Sequence, residues 1–233
     1  MTLSDAKTSH LAPEAPHAEL ARSYLEHLLA GRRTEAGDLV LDAVRAGTHV
    51  KQVYLHVFQP VQWEIGRLWQ TDRISVAKEH FCTAATQLII SQLYPWVFSG
   101  VRERGTMVAT AVPGELHELG IRMVADFFEM AGWETAYLGA NVPADGVAQM
   151  VDEKAADVLA VSASLLEHVD AVREVVDTVR ALPGRDDLII LVGGHPFNAD
   201  PELWRSLGAN GYAHDAEQAV ARAEAMVPGR GAS

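Results

Sequence analysis

Apolar residues in the first hundred positions recur at the spacing of amphipathic helices. They form four stripes, and within each stripe the apolar residues lie three or four positions apart; the stripes span residues 20–29, 36–44, 53–68 and 74–97. Pro60 lies inside the third stripe and should kink that helix, because proline has no amide hydrogen. The pattern predicts a four-helix bundle over residues 16–100, preceded by a polar lead-in over residues 1–15 that we expect to be disordered.

After residue 100, short apolar runs alternate with helical stretches. The predicted strands are 107–112, 134–138, 158–162, 188–192 and 211–213, and the predicted helices lie near 118–130, 144–154, 169–182, 201–207 and 216–226. Apolar strands flanked by helices are typical of a parallel sheet that is buried on both faces. The sequence therefore predicts an α/β domain over residues 101–233, with a flavodoxin-like, doubly wound sheet of five parallel strands.

Composition narrows the classes of function. The chain has 233 residues, a net charge of -12 and a pI near 5.2, which argues against a surface for nucleic acid. The single cysteine, Cys82, is consistent with a reducing compartment. No secretory signal is visible, and no apolar run approaches the roughly 18 residues of a membrane span. We therefore expect a cytoplasmic protein without a membrane partner.

Candidate chemistry begins at the end of the first predicted strand. His117 follows this strand, at the edge of the sheet where α/β folds bind ligands. Glu115, two residues earlier, can bind the second ring nitrogen, and Gly120 leaves space for a bulky group. This arrangement is expected of a histidine offered to a large metal cofactor.

Further residues follow the other predicted strands at the same edge. Ser162 and Ser164 end the third strand, Gly193 and Gly194 end the fourth, and Tyr212 lies in the fifth. The serines could bind a ring nitrogen or a phosphate without adding charge, and paired glycines permit close approach by a ligand. Nothing in the spacing pairs a serine with a base, so we interpret this edge as a binding slot.

These three segments resemble the signature of cobalamin-binding domains. The segments are Glu-x-His-x-x-Gly at 115–120, Ser-x-Ser-Leu at 162–165 and Gly-Gly at 193–194, with a glutamate where the family usually has aspartate. The resemblance implies that His117 is the lower ligand of cobalt and that Glu115 orients it. It also implies that the nucleotide tail of the cofactor occupies a slot lined by Ser162, Ser164, Leu165, Gly193 and Gly194.

The helical region carries a second resemblance. Trp69, followed after nine residues by Glu79 and His80, is similar to the helical cap of light-sensing adenosylcobalamin-dependent regulators. This implies adenosylcobalamin between the two domains, with Trp69 over the upper face of the corrin and Glu79 and His80 close to it. Those regulators usually have an N-terminal winged helix, which is not seen here, so we expect no direct transcriptional control. Gln70 stands where some of them have a cobalt-capturing histidine, which excludes a light-state adduct through this position.

The resemblance implies a photoreceptor rather than an enzyme. Light would break the upper cobalt–carbon bond, and the cap would rearrange to signal to a downstream protein or through a homo-oligomer. Relatives of the photocobilin group also imply a bilin such as biliverdin as a second chromophore. Two alternatives stay open: a corrinoid methyl carrier of a methyltransferase system, and a flavodoxin-like response module without a metal. The remaining histidines, including His168, are interpreted as surface or loop residues.

Overall fold

A computed structural model of the protein describes residues 9–98 and 102–227. The chain divides into two compact units between Trp96 and Val97. The predicted domain boundary at residues 100 and 101 lies outside the described residues, and so do residues 1–8 of the predicted lead-in. Each unit is described separately below.

The first unit is helical, as the apolar stripes predict. Helices α1 (Ala18–Leu29) and α2 (Arg33–Arg45) correspond to the first two stripes. The third stripe forms α3 (Val50–Val53), a π-helical segment (Tyr54–Phe58) and α4 (Gln59–Gln70), which follow one another without interruption. The fourth forms α5 (Val76–Gln92) and the short α6 (Tyr94–Val97). The predicted helical domain is confirmed.

The third helix accommodates Pro60 by a change of helical type. Pro60 is the second residue of α4, directly after the π-helical segment. The amide of Gln59 donates to the carbonyl oxygen of Tyr54, five residues back, as a π-helical turn requires. The wider turn lets the chain continue as a helix into a residue that lacks an amide hydrogen. Periodicity alone did not predict this segment.

The described part of the lead-in is attached to α4. Residues 9–15 are irregular, with a turn at 13–14, and the backbone amide of His10 donates to Glu64 Oε2 over 3.0 Å. Arg67 donates to both oxygens of the buried Glu64, over 2.9 and 2.6 Å. Burial would raise the pKa of Glu64, but the hydrogen bonds from Arg67 and from the His10 amide outweigh it and lower the pKa. The described part of the lead-in thus contacts α4 at His10, and the disorder of residues 1–15 stays a prediction.

The second unit is built on five parallel strands. They are β1 (Thr106–Ala111), β2 (Glu134–Gly139), β3 (Val158–Ser162), β4 (Ile189–Gly193) and β5 (Gly211–Tyr212). The order in the sheet is β2-β1-β3-β4-β5, and every neighbouring pair is parallel. This is the order of a flavodoxin-like fold, so the predicted fold class is confirmed.

Helices α7 to α11 connect or follow the strands of this sheet. They are α7 (Leu119–Met130), α8 (Ala144–Glu153), α9 (Val169–Arg180), α10 (His195–Ala199) and α11 (Ala216–Met226). The predicted helix at 201–207 is instead a 3-10 segment, Leu203–Leu207, and α10 was not predicted. A helix of five residues is too short for a periodic apolar stripe, so the sequence pattern cannot show it.

The register of the sheet brings the predicted slot residues together. Ala111 at the end of β1 pairs with Ser162 of β3, Ser162 pairs with Gly193 of β4, and Val192 pairs with Tyr212 of β5. The loops after these strands therefore leave the sheet side by side at one edge. Across residues 9–98 and 102–227, the structure contains no helix with the length and apolar character needed to span a membrane.

Candidate functional site

The loop after β1 holds an imidazole against a buried carboxylate. Glu115 is completely buried, and its Oε1 accepts hydrogen bonds from the backbone amide of His117 (2.9 Å) and from His117 Nδ1 (2.5 Å). Asn141, after β2, makes two hydrogen bonds to the same loop. Its side-chain Oδ1 accepts from the backbone amide of Gly114 over 2.8 Å, and its backbone amide donates to the carbonyl oxygen of Glu115 over 3.1 Å. The imidazole is thus oriented by a fixed carboxylate, as the sequence predicts for this pair.

The second oxygen of Glu115 is bound by the loop after β3. Its Oε2 accepts from the backbone amide of Ser164 over 2.6 Å and from His168 Nδ1 over 3.0 Å. One carboxylate therefore joins the loops that follow two neighbouring strands, with two donors on each oxygen.

These hydrogen bonds determine the charge and the tautomers at the site. Burial would raise the pKa of Glu115, but the donors from His117, His168 and Ser164 outweigh it and hold the pKa far below the ordinary range. An ionised carboxylate only accepts hydrogen bonds, so the two imidazoles donate to it from Nδ1. With its proton on Nδ1, a neutral His117 ring keeps the lone pair on Nε2, and a metal would bind at this nitrogen.

The outer side of the loop is open. The side chain of His117 is 52% exposed and that of Leu116 is 74% exposed, although Glu115 between them and the sheet is buried. A Cβ atom on Gly120 would have no other atom within 4 Å. The loop therefore presents one imidazole beside open space, which fits a large flat group better than a small ion enclosed by side chains.

The predicted slot residues lie at the same edge in different environments. Ser162 is buried at the end of β3, whereas Leu165 is 39% exposed. Gly194 has φ +107°, and a Cβ on it would lie 2.0 Å from the carbonyl oxygen of Ala163. Gly194 is thus required by the backbone beside it, whether or not a ligand binds. Tyr212 packs under the guanidinium of Arg222, 5.8 Å from the ring centroid.

His168 corrects the sequence interpretation. The sequence predicts a surface or loop residue, but His168 contacts Glu115, and its side chain is only 17% exposed. The available signal was its place after the third strand, at the edge where His117 was predicted. Its contact depends on the 3-10 turn Leu166–His168, which has no periodic pattern and was not predicted.

The predicted cap residues lie in the first unit. Trp69 is in the last turn of α4 and is 40% exposed. Glu79 and His80 lie near the start of α5, with Glu79 Oε2 2.5 Å from His80 Nδ1. Glu79 Oε1 also lies 2.9 Å from the hydroxyl of Thr83, so this carboxylate is bound to its own helix as well as to His80.

A chain of polar contacts continues from Thr83 into the core of the bundle. The Thr83 hydroxyl lies 3.2 Å from Gln62 Oε1, and Gln62 Nε2 donates to the Thr86 hydroxyl over 2.7 Å. Thr86 donates to the carbonyl of Cys82 over 3.0 Å, so the buried Tyr24 donates to Thr86 over their 2.8 Å contact. The Glu79 region is therefore connected to a buried tyrosine through side chains of α4 and α5.

Both parts of the chain match family models. A model described as a B12 binding domain matches residues 105–221, and a second model with the same description matches residues 20–94. The first match contains β1 to β5, and the second extends from the first turn of α1 to the end of α5.

The chain is also similar to proteins that are named as corrinoid proteins. It is 28% identical over 130 residues to dimethylamine corrinoid protein 1 of Methanosarcina mazei, which covers 55% of this chain and 59% of that protein. It is 26% identical over 161 residues to a corrinoid protein of Desulfitobacterium hafniense, covering 67% of this chain and 73% of that protein. The chain thus matches less than two thirds of the first relative's length.

A solved structure shares the fold. The monomethylamine corrinoid protein of Methanosarcina barkeri superposes with a TM-score of 0.79 and 18% identity, over 90% of this chain and 99% of that one. At this identity the likeness supports the architecture alone.

These relatives contradict the photoreceptor predicted from the sequence. One is named as a dimethylamine corrinoid protein and another as a corrinoid protein, and these names favour the corrinoid-carrier alternative over a light sensor. Aromatic and polar residues at helical spacing also arise from packing of a helical bundle, so the pattern of Trp69, Glu79 and His80 does not by itself indicate a light sensor. The adenosyl group and the bilin have no support in these relatives and stay predictions.

Proposed function

Because the chain belongs to the B12-binding domain family, we propose that it is a corrinoid carrier protein that holds a methyl group for a methyltransferase system. This was the alternative that the sequence left open. The proposal is carried by the geometry of His117. Its Nδ1 is bound by the buried, ionised carboxylate of Glu115, and its imidazole is half exposed at the edge of the sheet. The similarity to the dimethylamine corrinoid protein of Methanosarcina mazei and to the corrinoid protein of Desulfitobacterium hafniense supports it.

The residues of the β1 loop would hold the cofactor from below. His117 Nε2 is the proposed ligand of cobalt, and Glu115 Oε1 holds the proton on Nδ1. If that proton moved toward Oε1, Nε2 would become a stronger electron-pair donor, and if it moved away, a weaker one. The pair could thus adjust the bond to a metal as the charge of the metal changes. When bound, the corrinoid supplies the cobalt atom that accepts a methyl group from a donor and passes it to an acceptor.

The neighbouring loops would hold the nucleotide tail. We assign this role to Ser162, Ser164, Leu165, Gly193, Gly194 and Tyr212. Their support is the strand register, which sets the ends of β1, β3, β4 and β5 beside one another. Trp69, Glu79 and His80 of the helical unit stay predicted cofactor contacts. A carrier must exchange methyl groups with other proteins, so the proposed partner is a methyltransferase.

The upper ligand of the bound cofactor separates this proposal from the light-sensing interpretation. The protein is purified from its own cells in darkness, and the extracted corrinoid is identified by mass spectrometry. We expect a methyl group or no alkyl group on cobalt. An adenosyl group on most of the extracted cofactor would overturn the methyl-carrier proposal.

The role of His117 is tested by binding. The apoprotein, His117→Ala and Glu167→Ala are each titrated with methylcobalamin, and binding is followed by absorbance and gel filtration. We expect His117→Ala to lose the axial-nitrogen spectrum and to bind about 10–100-fold more weakly, as for other losses at a metal centre. Glu167 is exposed in the 3-10 turn, so its variant should bind as the parent does. Equal spectra and affinities for all three proteins would exclude His117 as the ligand.

A further inference from the structure

Residues 9–17, here called the strap, precede α1 and contact α4. The backbone amide of His10 donates to Glu64 Oε2 over 3.0 Å, and the ring of His10 lies edge-on to Trp63, with ring centroids 5.8 Å apart. We propose that the strap is a pH-sensitive segment, which docks on the first unit at neutral pH and is released in mild acid. This inference goes beyond the proposed function and does not depend on it.

Two imidazoles meet where the strap enters α1. The rings of His17, in the strap, and His56, in the π-helical segment, are stacked with centroids 6.2 Å apart and an interplanar angle of 29°. Both residues are half-buried. Histidine changes its charge between about pH 5 and 8, so acidification would place positive charges on two rings that lie face to face. Like charges at this distance repel, and release of the strap relieves the repulsion.

The position of His17 adds to the cost of a positive charge. His17 is the N-cap of α1, and its φ of 57° lies in the left-handed region, which is strained for a residue other than glycine. The N-terminal end of a helix carries the positive end of the helix dipole, so a protonated imidazole is disfavoured there. Glu19, in the first turn of α1, is the acidic residue that offsets part of this effect.

His10 also favours the docked strap in its neutral form. Partial burial lowers the pKa of His10, while Glu64 opposes this effect and Arg67 adds to it. The docked strap therefore loses stability as the pH falls below the ordinary histidine pKa of about 6.5. Burial would raise the pKa of Glu64, but the hydrogen bonds from Arg67 and from the His10 amide lower it. The acceptor of the His10 amide thus stays ionised in mild acid.

The strap is placed so that it can leave while the helices stay folded. Residues 12–16 are exposed, and the half-buried Leu11 lines a small cavity together with His56 and Pro60. Segments with few buried apolar contacts open locally at a low free energy. Release of the strap would open this cavity to water, and the buried apolar stripes of α1 to α5 would keep their packing.

Amide hydrogen exchange of the full chain tests the proposal. Protection of the amides of residues 10–17 is measured at about pH 7.5 and about pH 5.5, with labelling times adjusted so that an unfolded peptide exchanges equally at both. We expect the parent to lose about fivefold to tenfold in protection at the lower pH, while α2 keeps its protection. His17→Asn, which tolerates the left-handed conformation, and His56→Gln should each keep most of the protection.

The matched control is His195→Gln, which removes an exposed histidine from the second unit and should lose protection as the parent does. The proposal is wrong if the parent keeps its protection at the lower pH, or if His17→Asn and His56→Gln lose as much as the parent. Equal loss in α2 would mean that acid unfolds the whole unit, which would also overturn it. If His56→Gln does not fold, His17→Asn decides alone. The measurement needs no cofactor, so its result is separate from that of the methyl-carrier proposal.

Discussion

At the scale of single residues, the site is organised by one acid. Glu115 is buried, ionised and bound by donors from both its own loop and the loop after β3. Such a group is stable in the interior because each lone pair that leaves water gains an N–H donor. The local pair of Glu115 and His117 could be predicted from their spacing. The contact with His168 could not, because it joins residues 53 positions apart.

Replacing Glu115 with glutamine should destabilise the second unit. The amide NH₂ would face two N–H donors that lose their acceptor, and each buried donor left without a partner costs about 1–3 kcal/mol. Denaturant unfolding of Glu115→Gln should therefore show a free energy lower by about 2–5 kcal/mol. Glu167→Gln, in the exposed 3-10 turn, is the control and should stay within about 0.5 kcal/mol of the parent. Equal stability of both variants would mean that the carboxylate is not needed in its charged form.

Cys82 should be nearly inert to thiol reagents in the folded protein. Burial raises the pKa of its thiol to about 11, and no part of the residue is exposed. Because the reactive form is the thiolate, the reaction at about pH 8 should be at least a hundredfold slower in the native protein than in urea. The rate for the native protein should rise with pH toward the folded pKa, while the rate in urea levels off near the ordinary pKa of a cysteine. Rapid native labelling at neutral pH would contradict the burial of α5 at this position.

At the scale of elements, the positions of the strand ends determine where the loops of the candidate site begin. The alternation of apolar runs predicted every strand of the sheet, because buried parallel strands are continuous in hydrophobicity. The π-helical segment at Tyr54–Phe58 and the short α10 were not predicted, because both depend on hydrogen bonds that leave no periodic trace. Gly194 also differs from the expectation: the sequence predicts space for a ligand there, whereas the structure shows the backbone of Ala163 close to it.

Alanine at Gly194 should disrupt the end of β4. A Cβ there would lie 2.0 Å from the Ala163 carbonyl oxygen, and φ +107° is strained for any L residue. We expect Gly194→Ala to lower the free energy of unfolding by at least about 2–3 kcal/mol, or to prevent folding. Gly146→Ala is the matched control, because Gly146 lies inside α8, where a Cβ would make only an ordinary contact of 3.7 Å. That variant should be stabilised by about 0.5–1 kcal/mol. The reverse ranking in thermal or urea unfolding would show that β4 ends differently from the structure.

At the scale of the whole molecule, the sequence predicts the correct family, but the predicted photoreceptor function is wrong. The fold class and the cobalamin-binding signature depend on local pattern and on three short motifs, which a single sequence can show. Whether the cofactor serves light sensing or methyl transfer does not follow from these motifs. In the helical unit, the residues Trp69, Glu79 and His80 are compatible with more than one upper ligand. The relatives, rather than the residues, made the methyl carrier the better hypothesis.

Cobalamin should stabilise the full chain by mass action. A ligand that binds only the folded state adds about 2.7 kcal/mol at a concentration of one hundred times its Kd. Thermal unfolding of the apoprotein with rising hydroxocobalamin should therefore show a steadily increasing Tm, with a much smaller increase in His117→Ala. Flavin mononucleotide is the control, since it suits a flavodoxin-like sheet without a metal ligand. A larger increase with the flavin than with cobalamin would favour the metal-free response module.

The attachment of His10 to Glu64 has a practical consequence for anyone designing a shorter version of this protein. Trimming at residue 16, where the predicted helical bundle begins, would look harmless on a hydropathy plot. It would remove the backbone amide that accompanies Arg67 on a buried acid, and with it the edge-on ring contact between His10 and Trp63. A safer starting point for a minimal version lies before Ser9, so that the bundle keeps this amide.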